Sequence, residues 1–96
     1  MLSDQELEVL REVWEHQQHS AGEPFWFASI DVHLDTNRPE LAEAVREDLP
    51  KLLRDFQNRG YVERVGETND AARFPLYRLT QSGVQAAQGR WNPMKD

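Results

Sequence analysis

Between Pro39 and Gly60 the apolar residues Leu41, Val45, Leu49, Leu52, Leu53 and Phe56 recur at helical spacings, and Pro50 falls in the middle of them. An interior proline costs a helix about 3 kcal/mol and removes a backbone hydrogen bond. The segment is therefore one kinked helix or two helices that meet near Glu47-Asp48. In the two-helix version, which we prefer, Asp48 caps the second helix and Pro50 lies in its first turn, where a missing N–H does no harm. Gly60 can take the left-handed geometry that ends helices.

The flanking sequence frames this segment. Leu7, Leu10, Val13 and Trp14 predict a helix from Ser3 to about His19, with Ser3 and Glu6 spaced as a capping box. Ser20 to Pro24 breaks it. Residues 26–34 are ambiguous: Trp26, Ala28, Ile30, Val32 and Leu34 alternate as in a strand, while Trp26, Ile30 and Leu34 also fit a helix. Asp35-Thr36-Asn37-Arg38-Pro39 reads as a turn-rich linker with Asn37 as a cap. Tyr61–Val65 and Leu76–Thr80 read as two strands of a hairpin around a polar loop from Gly66 to Pro75. Thr80-Gln81-Ser82-Gly83 opens a short last helix through Val84, Ala86 and Ala87.

With 96 residues, the chain suits one domain, 1–96, with an ordered core over about 3–88 and a loosely held tail, 89–96. It has no cysteine, which removes disulfides and thiolate zinc sites. The first residues are acidic where a signal peptide needs a basic start, and no apolar run approaches the roughly 20 residues of a membrane span, so the expected compartment is the cytoplasm. Net charge is −6, which weighs against a simple nucleic-acid binder. The distribution softens this: residues 1–28 hold six acids against Arg11, a net −5, and residues 29–96 carry only −1.

Leu52–Arg64, a helix end running through Gly60 into a strand, and Tyr77-Arg78-Leu79-Thr80-Gln81-Ser82-Gly83, a strand running into a capped helix, resemble the winged helix-turn-helix family of bacterial, archaeal and phage-type regulators. The resemblance covers residues 41–87, and 3–19 generically, and leaves 24–38 without a counterpart. It implies an α+β, mainly α fold: a three-helix core, a two-stranded β-hairpin wing and a short C-terminal helix. Leu41–Val45 looks like the first helix of the helix-turn-helix, with a compressed turn after it. If residues 26–34 supply that helix instead, 39–59 is one long recognition helix kinked at Pro50. The family resemblance implies duplex DNA binding and transcription regulation, or else a protein-interaction module, since the fold alone does not decide the task.

With Leu49, Leu52, Leu53 and Phe56 inward, Lys51, Arg54, Asp55, Gln57 and Asn58 face solvent. Arg suits guanine edges, Gln and Asn suit adenine, and Lys suits phosphate. Lys51, Arg54, Gln57 and Asn58, with Arg64 and Arg73 of the wing, form the expected DNA-binding set; an ordinary solvated face is the competing reading. Asp55, Glu47 and Asp48 oppose phosphate, so a homodimer would supply affinity that one copy lacks. A protein partner would use the acidic first helix or the aromatics Phe25, Trp26, Phe27 and Trp91.

His16 and His19, three apart beside Glu12 and Glu15, have the spacing of a metal pair, but two such residues are usually accidental, and neither metal nor cofactor is expected. Ser29, Asp31 and His33 include the three types of a hydrolase triad. At strand or helix spacing they cannot come within the roughly 3 Å that a nucleophile and its base require, so no enzyme activity is expected.

Overall fold

The computed structural model describes residues 2–69 and 71–88. It is a mainly helical α+β arrangement: α1 (Asp4–His19), α2 (Phe27–Asn37), α3 (Pro39–Val45), a 3₁₀ turn (Arg46–Asp48), α4 (Leu49–Asn58), β1 (Val62–Glu67), β2 (Pro75–Leu79) and α5 (Gln81–Gln88). No helix among the described residues is long and apolar enough to cross a membrane.

The capping box of α1 forms as its spacing predicts. Ser3 Oγ accepts from Glu6 N at 3.1 Å, and Glu6 Oε1 accepts from Ser3 N at 2.9 Å. Ala21 (φ 57°) and Gly22 (φ 80°) then turn the chain in the left-handed region.

The ambiguity over residues 26–34 resolves as a helix. Phe25 exchanges Phe25 N→Tyr77 O (2.9 Å) and Tyr77 N→Phe25 O (2.7 Å), adding a single bridge to the free edge of β2, and Trp26 (φ −133°, ψ 174°) carries the extended chain to the start of α2. Ser29 Oγ then accepts from Trp26 N and donates to Trp26 O, fixing the first turn of α2. The expected linker over Asp35–Pro39 is corrected. Helix α2 runs through Asn37, which is no cap: its Nδ2 donates to His33 O at 2.9 Å, one turn back. What ends α2 is the residue before the proline, Arg38 (φ −140°, ψ 67°), because the Pro39 ring excludes helical geometry there. Pro39 itself opens α3, so α2 and α3 are joined by one non-helical residue.

The long segment is two helices. Val45 (φ −114°, ψ 0°) breaks α3, the 3₁₀ turn carries the chain round, and Pro50 lies in the first turn of α4. Asp48 holds the cap position without making a side-chain cap bond, so the break comes from the backbone and Pro50 rather than from capping. Gly60 (φ 84°) ends α4 as expected.

Strands β1 and β2 pair antiparallel with Val62 opposite Leu79 and Arg64 opposite Tyr77; Val65 is bulged out between Arg64 and Gly66. Pairing continues to Glu67 and Pro75, so the expected loop over Gly66–Pro75 is shorter than its composition suggests. Val9, Leu10 and Val13 of α1, Ile30 and Leu34 of α2, Leu53 and Phe56 of α4, and Val62 of β1 are 2% exposed or less and form one core with the buried residues of α3 and β2. At the base of the hairpin Thr80 Oγ1 accepts from Gly83 N at 3.0 Å, capping α5, and donates toward Gly60 O at 2.6 Å.

Candidate nucleic-acid interface

Helix α4 is strongly sided. At about 100° per residue, Leu49, Leu53 and Phe56 fall together and are buried, while Lys51, Arg54 and Asn58 fall together on the opposite side and are exposed. Gln57 is exposed on the flank and Leu52 is half-buried. The structure thus places all four predicted α4 residues at solvent, three of them on a single stripe.

The cations of that stripe differ in what holds them. Lys51 Nζ donates to Asp55 Oδ2 at 3.2 Å, an i,i+4 pair. Arg54 forms no ion pair among the described residues; it lies close enough to Tyr77 for its charge to act on that phenol. Arg64 does the same from β1, where register sets it directly across from Tyr77. Because Tyr77 spends its backbone N–H and C=O on Phe25, it forms with Arg64 the closer, non-hydrogen-bonded kind of cross-strand pair, and the two side chains share a face. Burial raises the Tyr77 pKa, and the positive charges of Arg54 and Arg64 oppose that rise. Arg54 of α4 and Arg64 of β1 thus both lie within electrostatic range of the same tyrosine. No feature of α4 alone signals this juxtaposition, although the alternation Val62-x-Arg64 against Tyr77-x-Leu79 carries it.

Arg73 lies at the far end of the hairpin in left-handed backbone (φ 54°), its Nη1 3.7 Å from Glu67 Oε1, while Arg64 Nη2 is 3.5 Å from Glu67 Oε2. Both wing arginines thus share one carboxylate. Arg78 Nε donates to Gly22 O at 3.3 Å and ties the hairpin to the turn after α1. The opposing charges noted in the sequence are present: Glu47 and Asp48 are exposed immediately before α4.

The predicted aromatic interface needs correction. Phe25 is 1% exposed and belongs to the core, held by its bridge to Tyr77. Trp26 and Phe27 are half-buried and pack with Phe74, which the sequence reading did not single out: Trp26–Phe27, Trp26–Phe74 and Phe27–Phe74 ring centroids are 5.3, 5.5 and 5.0 Å apart. Trp91 and the tail from 89 onward lie outside the described residues.

The acidic first helix is largely engaged within the molecule. Arg38 Nη2 is 2.7 Å from Glu8 and its Nη1 3.6 Å from Glu12, and Arg59 is 3.4 Å from Glu6. Ser29, Asp31 and His33 point to three separate partners, Trp26, Arg46 and Glu12. They form no relay.

Comparison with known proteins finds no matching family model, no matching curated protein and no matching solved structure.

Proposed function

We propose that the chain is a winged helix-turn-helix regulator that binds duplex DNA, with α3 and α4 as the helix pair, α4 as the recognition helix in the major groove, and the β1–β2 hairpin as the wing on the flanking backbone or minor groove. The observation that carries this reading is the exposed stripe Lys51, Arg54 and Asn58 opposite the buried face of α4, next to a hairpin in which Arg64 stands across from Tyr77. On this reading the stripe offers a helix side chain to base edges and Arg64 offers a strand side chain to a phosphate. The element order also supports it: Phe25 on the sheet edge, then α2, the α3–α4 pair and the hairpin in succession. Each copy offers few cations, so binding as a homodimer to two half-sites supplies the affinity.

The test is fluorescence anisotropy of labelled duplex DNA across a salt series. Binding should weaken steeply with salt, and Arg54→Ala, which removes an exposed side chain and leaves the core intact, should weaken binding and lower the salt slope by about one. Absence of binding at low salt, or equal binding by wild type and Arg54→Ala, would refute it. A protein-interaction role is the second reading. It is favoured by one observation, the half-buried trio Trp26, Phe27 and Phe74, since partly exposed aromatics in contact are typical anchors for a partner.

A further inference from the structure

Helix α1 carries Glu12, Glu15, His16 and His19 at i, i+3, i+4 and i+7, so four metal-ligating side chains share one stripe. Ligands on one helix alone do not make a site. Packing of α2 against α1 supplies a third group from outside. His33, with a side chain 7% exposed, sets its Nε2 2.9 Å from Glu12 Oε1, and a carboxylate oxygen of Glu15 completes a triangle whose ligand atoms all lie within 4.8 Å of one another. His16 packs edge-on to His33 with ring centroids 5.4 Å apart.

We propose that Glu12, Glu15 and His33 bind a divalent transition-metal cation, zinc in the test below, with His16 next in line as a fourth ligand. Three observations carry this. The donor set is one imidazole and two carboxylates on two packed helices, which suits zinc and its neighbours, while the absence of cysteine removes the soft-ligand alternatives. Glu15 adds a charge that nothing answers: Arg38 pairs with Glu8 at 2.7 Å and Glu12 at 3.6 Å, and the Glu15 side chain makes no hydrogen bond or ion pair among the described residues although it lies beside Glu12. Two of the three ligands are prearranged, because His33 is buried and held against Glu12, so little of their side-chain entropy is lost on binding. The cation takes the place of the proton between His33 Nε2 and Glu12. The imidazole that binds is neutral and carries its one proton on Nδ1, so Asn37, whose Nδ2 lies 3.5 Å away, would turn its oxygen there to accept it. A metal here would fasten α1 to α2, the helix that leads through Arg38 into α3.

The experiment is isothermal titration of the untagged full chain with zinc chloride, beside Glu15→Gln and His19→Ala. Both substitutions fall at exposed positions, and circular dichroism verifies that each variant is folded. The expected result is one zinc per chain, affinity reduced about tenfold or more in Glu15→Gln, and little change in His19→Ala. Absence of zinc binding by the wild type would overturn the proposal. So would binding that survives Glu15→Gln or is lost in His19→Ala, since it would then belong to the α1 histidines alone. None of these outcomes bears on DNA binding.

Discussion

Replacing Gly83 by alanine opposes two effects of known sign. Gly83 is in the first turn of α5, where propensity alone favours alanine by about 1 kcal/mol. The position is buried, however, and a Cβ there would overlap the backbone carbonyl oxygen of Tyr61 and approach Leu79 Cδ2 and Tyr61 C to 2.9 Å each. Leu79 is a core side chain with little room to turn, and the Tyr61 carbonyl is held in place by Thr80 N at 3.0 Å. Relief requires α5 to move off the base of the hairpin. Forced overpacking of this kind costs about 1–3 kcal/mol, toward the upper end when the obstacle is backbone. Set against the propensity gain, Gly83→Ala should lose about 1–2 kcal/mol, a fall in Tm of about 4–16 °C for a domain of this size. Urea and thermal unfolding followed by circular dichroism measure it, with Gln85→Ala, exposed in the same helix, as a control near wild type. A Gly83→Ala chain as stable as wild type would refute the close approach of α5 to Tyr61.

Leu53→Ala, at a side chain 0% exposed beneath the candidate interface, should cost about 2–5 kcal/mol in urea unfolding; unchanged stability would contradict the inward face of α4. Burial, then the neighbouring His33, then His19 lower the pKa of His16 from 6.5, so the folded state disfavours its charged form. Its contribution to stability is present above pH 6.5 and is lost as pH falls below it, because the unfolded chain then binds more protons. The urea midpoint should fall on acidification through that range, and His16→Gln should reduce the slope.

The elements readable in the sequence were those with a local cause. The Ser3–Glu6 capping box, Gly60 and the alternation of the two strands each act within a few residues, and each appears where expected. The Pro50 break reads correctly for the same reason, since a proline restricts its own turn whatever packs around it. Residues 25–37 differ. Polar positions of α2 turned toward other helices blur its pattern: His33 is buried against Glu12, while Asp31 is half-buried against Arg46. The sequence reading thus meets a weak apolar stripe and cannot separate helix from strand. Phe25 was misplaced because its neighbours Trp26 and Phe27 are half-exposed; only the bridge to Tyr77, 52 positions away, distinguishes it. The candidate interface was legible on α4, a single amphipathic helix, and illegible where it depends on Arg64 sharing a face with Tyr77 across the hairpin.

An acidic chain offers a basic face only if its acids are answered elsewhere, and the pairing pattern bears on this. Arg38 faces Glu8 and Glu12, Arg46 faces Asp31 and Asp35, and Arg59 faces Glu6, so three arginines offset carboxylates of α1 and α2 away from the outer stripe of α4. Exposed pairs of this kind add little to stability, so their weight lies in where charge is cancelled. On the outer stripe Arg54 has no ion pair among the described residues, and Lys51 is held only by an i,i+4 contact to Asp55 worth a few tenths of a kcal/mol, so under the proposed reading a phosphate would recruit it at little cost. Glu47 and Asp48 stand before the first turn of α4, the end a recognition helix ordinarily turns toward the bases. Repulsion from those two acids weighs against docking by that end. It favours an approach through Arg54, Asn58 and Arg64, on the side of α4 where the hairpin begins.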